Sequence, residues 1–201
     1  MNATALHERA DFKVIARWIT PGSRVLDLGC GDGSLLQYLC EKREVQGCGV
    51  EISPDNIVEC VRNGVNVIQD DLETGLSEIE DASFDFVILS QTLQAMRHTE
   101  DIVDEMLRVG RQAIVTFPNF GYWRNRLAVA NGNMPVSKNL PYAWYDTPNV
   151  HLCTIDDFEQ FCVARRVKIS ERVVLSGGNE IRLLPNLFGQ LAVYRVERAA
   201  G

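Results

Sequence analysis

Acidic residues stand at the ends of three short stretches that read as strands: Asp27 within 24–28, Glu51 closing 45–51, and Asp70-Asp71 following 65–68. After the first comes Gly29-Cys30-Gly31-Asp32-Gly33, three glycines alternating with other residues, and residues 34–40 resume as a helix. Strand, glycine loop and helix together let backbone approach a ligand closely at the strand's carboxyl end. The loop does not match the dinucleotide fingerprint, because the third glycine of Gly-x-Gly-x-x-Gly would fall on Ser34. A carboxylate at Asp27 would repel a pyrophosphate and hold a ligand that carries positive charge. A glycine turn alone is also found in many α/β proteins, so the weight rests on the series of strand ends.

S-adenosylmethionine meets these demands: it carries a sulfonium, an ammonium and one carboxylate, and no phosphate. Glu51 lies 24 residues after Asp27, close to the spacing of about 20 residues at which an acid reaches ribose hydroxyls, and Ile52 is counted beside it. A fourth strand, residues 84–89, ends on Ser90-Gln91-Thr92, polar residues that would line the floor under the sulfonium. The stretch resembles the first motif of the class I S-adenosylmethionine-dependent methyltransferases. By that resemblance Asp71 accepts from the adenine amino group, with backbone Leu72 beside it, and Asp70 is a solvent acid. The expected cofactor contacts are therefore Asp27, Gly29, Cys30, Gly31, Gly33, Glu51, Ile52, Asp71, Leu72, Ser90 and Gln91.

The elements that must position these residues follow from periodicity. Phe12, Ile15, Ala16 and Ile19 recur at helical spacing, and Pro21-Gly22 ends that helix. Ser53-Pro54-Asp55 begins another with a serine cap, Ile57, Cys60 and Val61 form its buried face, and Gly64 ends it. Val103, Met106 and Leu107 mark a further helix closing at Gly110, and residues 112–117 form the fifth strand. Strands alternating with helices predict a parallel sheet with helices on both faces. Thr154 and Asp157 form a shortened capping box for a helix buried through Phe158, Phe161 and Cys162. Residues 167–175 and 191–196 then read as an antiparallel pair at the sheet edge. The expectation is an α/β class I methyltransferase (Rossmann-like) fold, with a mostly parallel seven-stranded sheet and an antiparallel edge pair. Residues 118–150 interrupt the rhythm with aromatics, prolines and asparagines, as a functional covering element does.

At 201 residues the chain is expected to form one domain, 1–201. Its formal net charge of −7 argues against a broad nucleic-acid or anionic-membrane surface. No apolar run approaches the roughly 18 residues of a membrane span, and residues 1–8 lack the pattern of a secretory signal, so a cytoplasmic location is expected. Six cysteines without a Cys-x-x-Cys pair read as reduced core thiols, Cys30 included. His7, His98 and His151 are scattered, and no metal site is expected. Tyr122-Trp123-Arg124-Asn125-Arg126 reads as a helix start, and Asn139-Leu140-Pro141-Tyr142 as a turn. No catalytic base stands out, and methyl transfer by in-line attack can depend on positioning alone.

Over nearly its whole length the sequence resembles the MetW-type methionine biosynthesis proteins. The resemblance is carried by residues 25–33, Gln91-Thr92-Leu93-Gln94-Ala95, Thr116-Phe117-Pro118-Asn119-Phe120-Gly121, Met134-Pro135-Val136-Ser137 and Trp144-Tyr145-Asp146-Thr147-Pro148-Asn149. It implies a methyltransferase fold that works with a homoserine O-acyltransferase of the α/β-hydrolase type, making the activated homoserine ester on the way to methionine. Two classes of function stay open: a cofactor-binding subunit acting on that partner, and an enzyme methylating a small acceptor.

Overall fold

The computed structural model describes residues 9–137 and 139–199; His7 and the amino-terminal stretch 1–8 read above lie outside them. The elements run α1 (Ala10–Trp18), β1 (Arg24–Leu28), α2 (Ser34–Arg43), β2 (Gln46–Glu51), α3 (Pro54–Arg62), β3 (Asn66–Gln69) and β4 (Phe84–Ser90). They continue with α4 (Thr99–Val109), β5 (Gly110–Pro118), α5 (Trp123–Ala130), α6 (Ile155–Ala164), β6 (Val167–Ser176), β7 (Asn179–Glu180), α7 (Pro185–Phe188) and β8 (Leu191–Arg198). One sheet holds the strands in the order β3-β2-β1-β4-β5-β8-β6-β7. The first five are parallel, and β8, β6 and β7 pair antiparallel.

The central strands are apolar on both sides because helices cover both faces. Side chains alternate along β4: Val87 and Leu89 join the layer under α4 and α6, while Phe86 and Ile88 join the layer under α1 and α2. Each fully buried aliphatic or aromatic side chain contributes about 1.5–3 kcal/mol. β1 lies at the centre, with Asp27 opposite Gly49 of β2 and Ile88 of β4.

Three expectations are corrected. The sheet has eight strands, because Gly177 and Gly178, both left-handed at φ 55° and 84°, turn the chain into the two-residue β7 against β6. Val61 is 66% exposed and Ile57 only half-buried, so Cys60 alone is fully buried on α3, which covers a narrow sheet edge. Ser53 makes no side-chain cap; its amide instead donates to Glu51 Oε1 at 2.9 Å. The helix start read at residues 122–126 is present as α5 within the insertion, residues 118–150. That insertion is pinned at both ends. Asn119, fully buried, donates to the carbonyls of Asn186 and Gly189 at 3.0 and 2.9 Å, and accepts from the Gly121 amide at 2.9 Å. At the other end the amides of Val150 and His151 donate to the Gln94 carbonyl at 2.8 and 3.0 Å. Thr154 and Asp157 form a complete capping box at the start of α6. Among the described residues no helix is long and apolar enough to cross a membrane.

Candidate functional site

The glycine loop leaves β1 with Gly29, Gly31 and Gly33 all left-handed, at φ 68°, 57° and 76°. That backbone explains why glycine stands at each turn point. A Cβ on Gly29 would lie 2.8 Å from Thr92, one on Gly33 3.1 Å from the Cys60 sulfur, and one on Gly31 would enter open space. The amides of Gly29 and Cys30 donate back to the Val50 carbonyl at 2.8 and 3.1 Å, which ties the loop to β2. Asp32 accepts from the Ser34 amide at 3.1 Å, placing a carboxylate at the first turn of α2 where a phosphate would otherwise bind. The Cys30 side chain turns inward, its sulfur 3.7 Å from that of Cys60, and burial raises its thiol pKa well above the ordinary range. Its place at this site is therefore through backbone and packing.

Asp27 is 2% exposed, and its Oδ1 has no hydrogen-bond partner among the described residues. Burial first, and the neighbouring Glu51 second, push its pKa up to about 8, against the attraction of Arg9. An unpartnered buried carboxyl is costly and is the exception in folded proteins.

Glu51, also buried, holds the loop from the β2 side. Its Oε2 accepts from the Gly31 amide at 2.8 Å, and its Oε1 from the amides of Ile52 and Ser53 at 3.0 and 2.9 Å. A carboxylate has about four acceptor positions, so one remains on Oε2 for a ligand hydroxyl. Ile52 follows at 57% exposure, an apolar surface beside the loop. Asp71 is engaged locally: its Oδ1 accepts from the Glu73 amide at 3.0 Å and caps a short turn that Leu72 begins. Leu72 is half-buried and faces a cavity of about 170 Å³ shared with Met96, His98 and Ile102.

At the end of β4, Ser90 Oγ lies 3.2 Å from Thr116 Oγ1, and the Gln91 amide donates to that same oxygen at 3.0 Å. Gln91 has φ 56°, a strained conformation for a residue other than glycine. Its side-chain amide reaches 3.5 Å from Asp11 Oδ2, the outer limit of a hydrogen bond. Asp11 is 4% exposed and ion-paired with Arg9. The Thr92 side chain closes over Gly29. Sequence reasoning left out Arg9, Asp11 and the Thr92 contact. The one available signal was an acid, Asp11, set beside Phe12 on the apolar face of a helix.

Strand order, glycine loop and acid-lined strand ends together define a class I methyltransferase (Rossmann-like) fold. Within it, the chain belongs to the family described as Methionine biosynthesis protein MetW, whose match spans residues 9–196. It is 38% identical over 173 residues to the bifunctional methionine biosynthesis protein MetXA/MetW of Rhodopirellula baltica, covering 81% of this chain and 28% of that protein. The chain thus spans little more than a quarter of that curated relative. Among solved structures it is similar to a SAM-dependent methyltransferase of Thermotoga maritima, with a TM-score of 0.69 at 17% identity, covering 96% and 90% of the two chains. It is also similar to one of Archaeoglobus fulgidus, with a TM-score of 0.67 at 18% identity, covering 98% and 95%. At these identities the likeness is one of fold.

Proposed function

We propose that this chain binds S-adenosylmethionine at the carboxyl ends of β1, β2 and β4, and acts in methionine biosynthesis as an activating or regulatory subunit of a homoserine O-acyltransferase. The observation that carries the cofactor half is the buried, unpartnered Asp27 oxygen at the glycine loop. A cationic ligand satisfies it, and Asp32 at the start of α2 disfavours a phosphate. The adenosine half would lie along Gly31, Glu51 and Ile52, with Asp71 and Leu72 beyond it. Asp71 would have to share its local capping role to reach adenine. The cofactor's own contribution is an electrophilic methyl group.

Support for the partner half comes from the Rhodopirellula relative, whose name joins MetXA and MetW in one protein. The insertion fits a docking role: Trp144 and Tyr145 are 74% and 76% exposed and pack edge to face with centroids 5.6 Å apart. Exposed paired aromatics are anchor types at interfaces, whereas a pocket lid would bury them. The site also has a route to the insertion, since Gln94 Nε2 donates to the Gln91 carbonyl at 2.6 Å while the Gln94 carbonyl holds Val150 and His151. The test is the rate of the cognate homoserine O-acyltransferase with and without this chain, across a titration of S-adenosylmethionine. The reading expects the chain to raise the rate and the cofactor to modulate it. No effect of the chain refutes the subunit role, and a flat titration while the cofactor binds refutes regulation through the site.

A second reading, methylation of a small acceptor, is favoured by a cavity of about 110 Å³ beyond β5. It is lined by neutral polar side chains, among them Asn119, Tyr122, Asn125, Ser137 and Asn139. Turnover of S-adenosylmethionine to its demethylated product with an added small acceptor would establish it.

A further inference from the structure

We infer that α5 is the helix by which this chain docks on a homoserine O-acyltransferase, and that the surface receiving it is an apolar groove bordered by carboxylates. The inference rests on the subunit reading above and adds to it the docking element and the chemistry of the partner's face. α5 is built inside out. Of its 8 residues Asn125 alone is buried, whereas Trp123, Leu127 and Val129 are 39%, 53% and 48% exposed and Ala130 is also exposed. A helix on a protein surface ordinarily turns its apolar stripe inward. Polar bonds hold this one instead: Asn125 Nδ2 donates to the Asn119 carbonyl at 3.2 Å, and Arg126 Nε to the Gly121 carbonyl at 2.5 Å.

At about 3.6 residues per turn, Trp123, Leu127 and Ala130 fall on one stripe opposite Asn125, and Arg124 and Arg126 flank that stripe on either side. Exposed apolar side chains scattered singly need no explanation, but three on one stripe do. The Arg124 guanidinium carbon lies 5.2 Å from the centroid of the Trp123 ring, and neither arginine forms an ion pair among the described residues. The helix contains no acid, in a chain whose net charge is −7. A cationic apolar stripe of this kind is complementary to an apolar groove with an acidic rim, and anchors at i, i+4 and i+7 are how a helix fills such a groove. Tryptophan and arginine are also the types enriched at interfaces. Charge argues against the other occupants. A second copy meeting α5 through α5 would gather the arginines of both copies around one two-fold axis, and an anionic bilayer would be repelled by the rest of this acidic chain.

The test uses the full chain and the cognate homoserine O-acyltransferase in a surface-binding assay. Leu127→Glu sets a carboxylate in the stripe, and Arg124→Glu reverses one flanking charge. Both side chains are exposed, so melting should stay at the native value. Each variant is expected to weaken association roughly tenfold or more. Native association should weaken as salt is raised, and Arg124→Glu should lessen that dependence. Val163→Glu on α6, where the native side chain is 79% exposed, makes a similar change outside α5 and should bind as the native chain does. If both α5 variants bind as tightly as the native chain, or Val163→Glu loses as much as they do, the docking helix is overturned while the subunit reading stands. Sedimentation of the chain alone tests the second copy: self-association that Leu127→Glu abolishes, with acyltransferase binding unchanged, also overturns the inference. If the native chain does not associate with the acyltransferase at all, the subunit reading falls and the docking helix with it. Should Leu127→Glu fail to fold, Arg124→Glu and the salt dependence decide.

Discussion

Replacing Asp27 by asparagine should flatten the pH dependence of stability and of cofactor binding together. In the fold Asp27 has a pKa of about 8, raised by burial and then by Glu51. In the unfolded chain a carboxyl titrates near 3.9. The folded state therefore binds the proton more tightly, and stability from this group is full below pH 4 and lost as pH rises toward 8. The slope within that window approaches 1.4 kcal/mol per pH unit, so unfolding free energy should fall by about 3 kcal/mol between pH 5 and pH 7 from Asp27 alone. Glu105 and Glu197, whose pKa values are lowered by Arg108 and Lys168, act in the opposite direction at lower pH. They are common to both proteins and cancel in the comparison.

Urea unfolding of the native chain and of Asp27→Asn at pH 5, 6 and 7, without ligand, reads the difference directly. The variant should gain on the native protein at each step. Binding supplies the second limb. A cationic ligand prefers the ionised carboxylate, so native affinity for S-adenosylmethionine should rise by up to tenfold per pH unit toward pH 8 and then level. Proton release should be visible as a buffer-dependent heat. Asp27→Asn should bind roughly ten- to hundredfold more weakly at pH 8, the loss of an ionic hydrogen bond worth about 1.5–3 kcal/mol. Parallel stability curves for the two proteins would show that Asp27 is already ionised in the native fold, and would refute the reasoning.

Glu51→Ala should weaken cofactor binding roughly ten- to hundredfold and lower stability by about 1–3 kcal/mol, because the amides of Gly31, Ile52 and Ser53 lose their acceptor. Calorimetry and urea unfolding check the two effects separately. Gly31→Val should cost about 1–2 kcal/mol through its left-handed backbone at φ 57°, and should abolish binding by filling the open space above the loop. Trp144→Ala should leave melting and cofactor binding unchanged and cost about 2 kcal/mol or more in association with the acyltransferase, near thirtyfold in a surface-binding assay. Loss of folding without a specific loss of association would show that this aromatic pair is only packing.

The parallel half of the fold was legible because its signals are local and repeated: apolar strands ended by polar residues, four of the five followed by a helix. Asp27, the three glycines and Glu51 were legible for the same reason, since strand ends in such a sheet converge on one crevice. What escaped was set by the third dimension. Val61 has helical spacing with Cys60 and Ile57, but the sheet beneath α3 ends at β3, and nothing remains there to cover it. Ser53 has the right residue type for a cap and stands at the N-cap position of α3, yet its side chain makes no cap hydrogen bond.

Hydrogen bonds within the fold also revise the reading of the site itself. Glu51 was assigned to ribose from its spacing, while in the fold three of its acceptor positions are already taken, one by the Gly31 amide of the loop and two by the amides of Ile52 and Ser53. Its contribution to binding is thus as much to shape the glycine loop as to touch a ligand. Asp27 is the converse case. Sequence singled it out as the carboxylate that holds a positively charged ligand, and in the fold it is buried at the sheet centre with an oxygen that has no partner among the described residues. Of the acids at the strand ends, it is the one that the proposed cationic ligand would complete, and its titration carries the sharpest test of that reading.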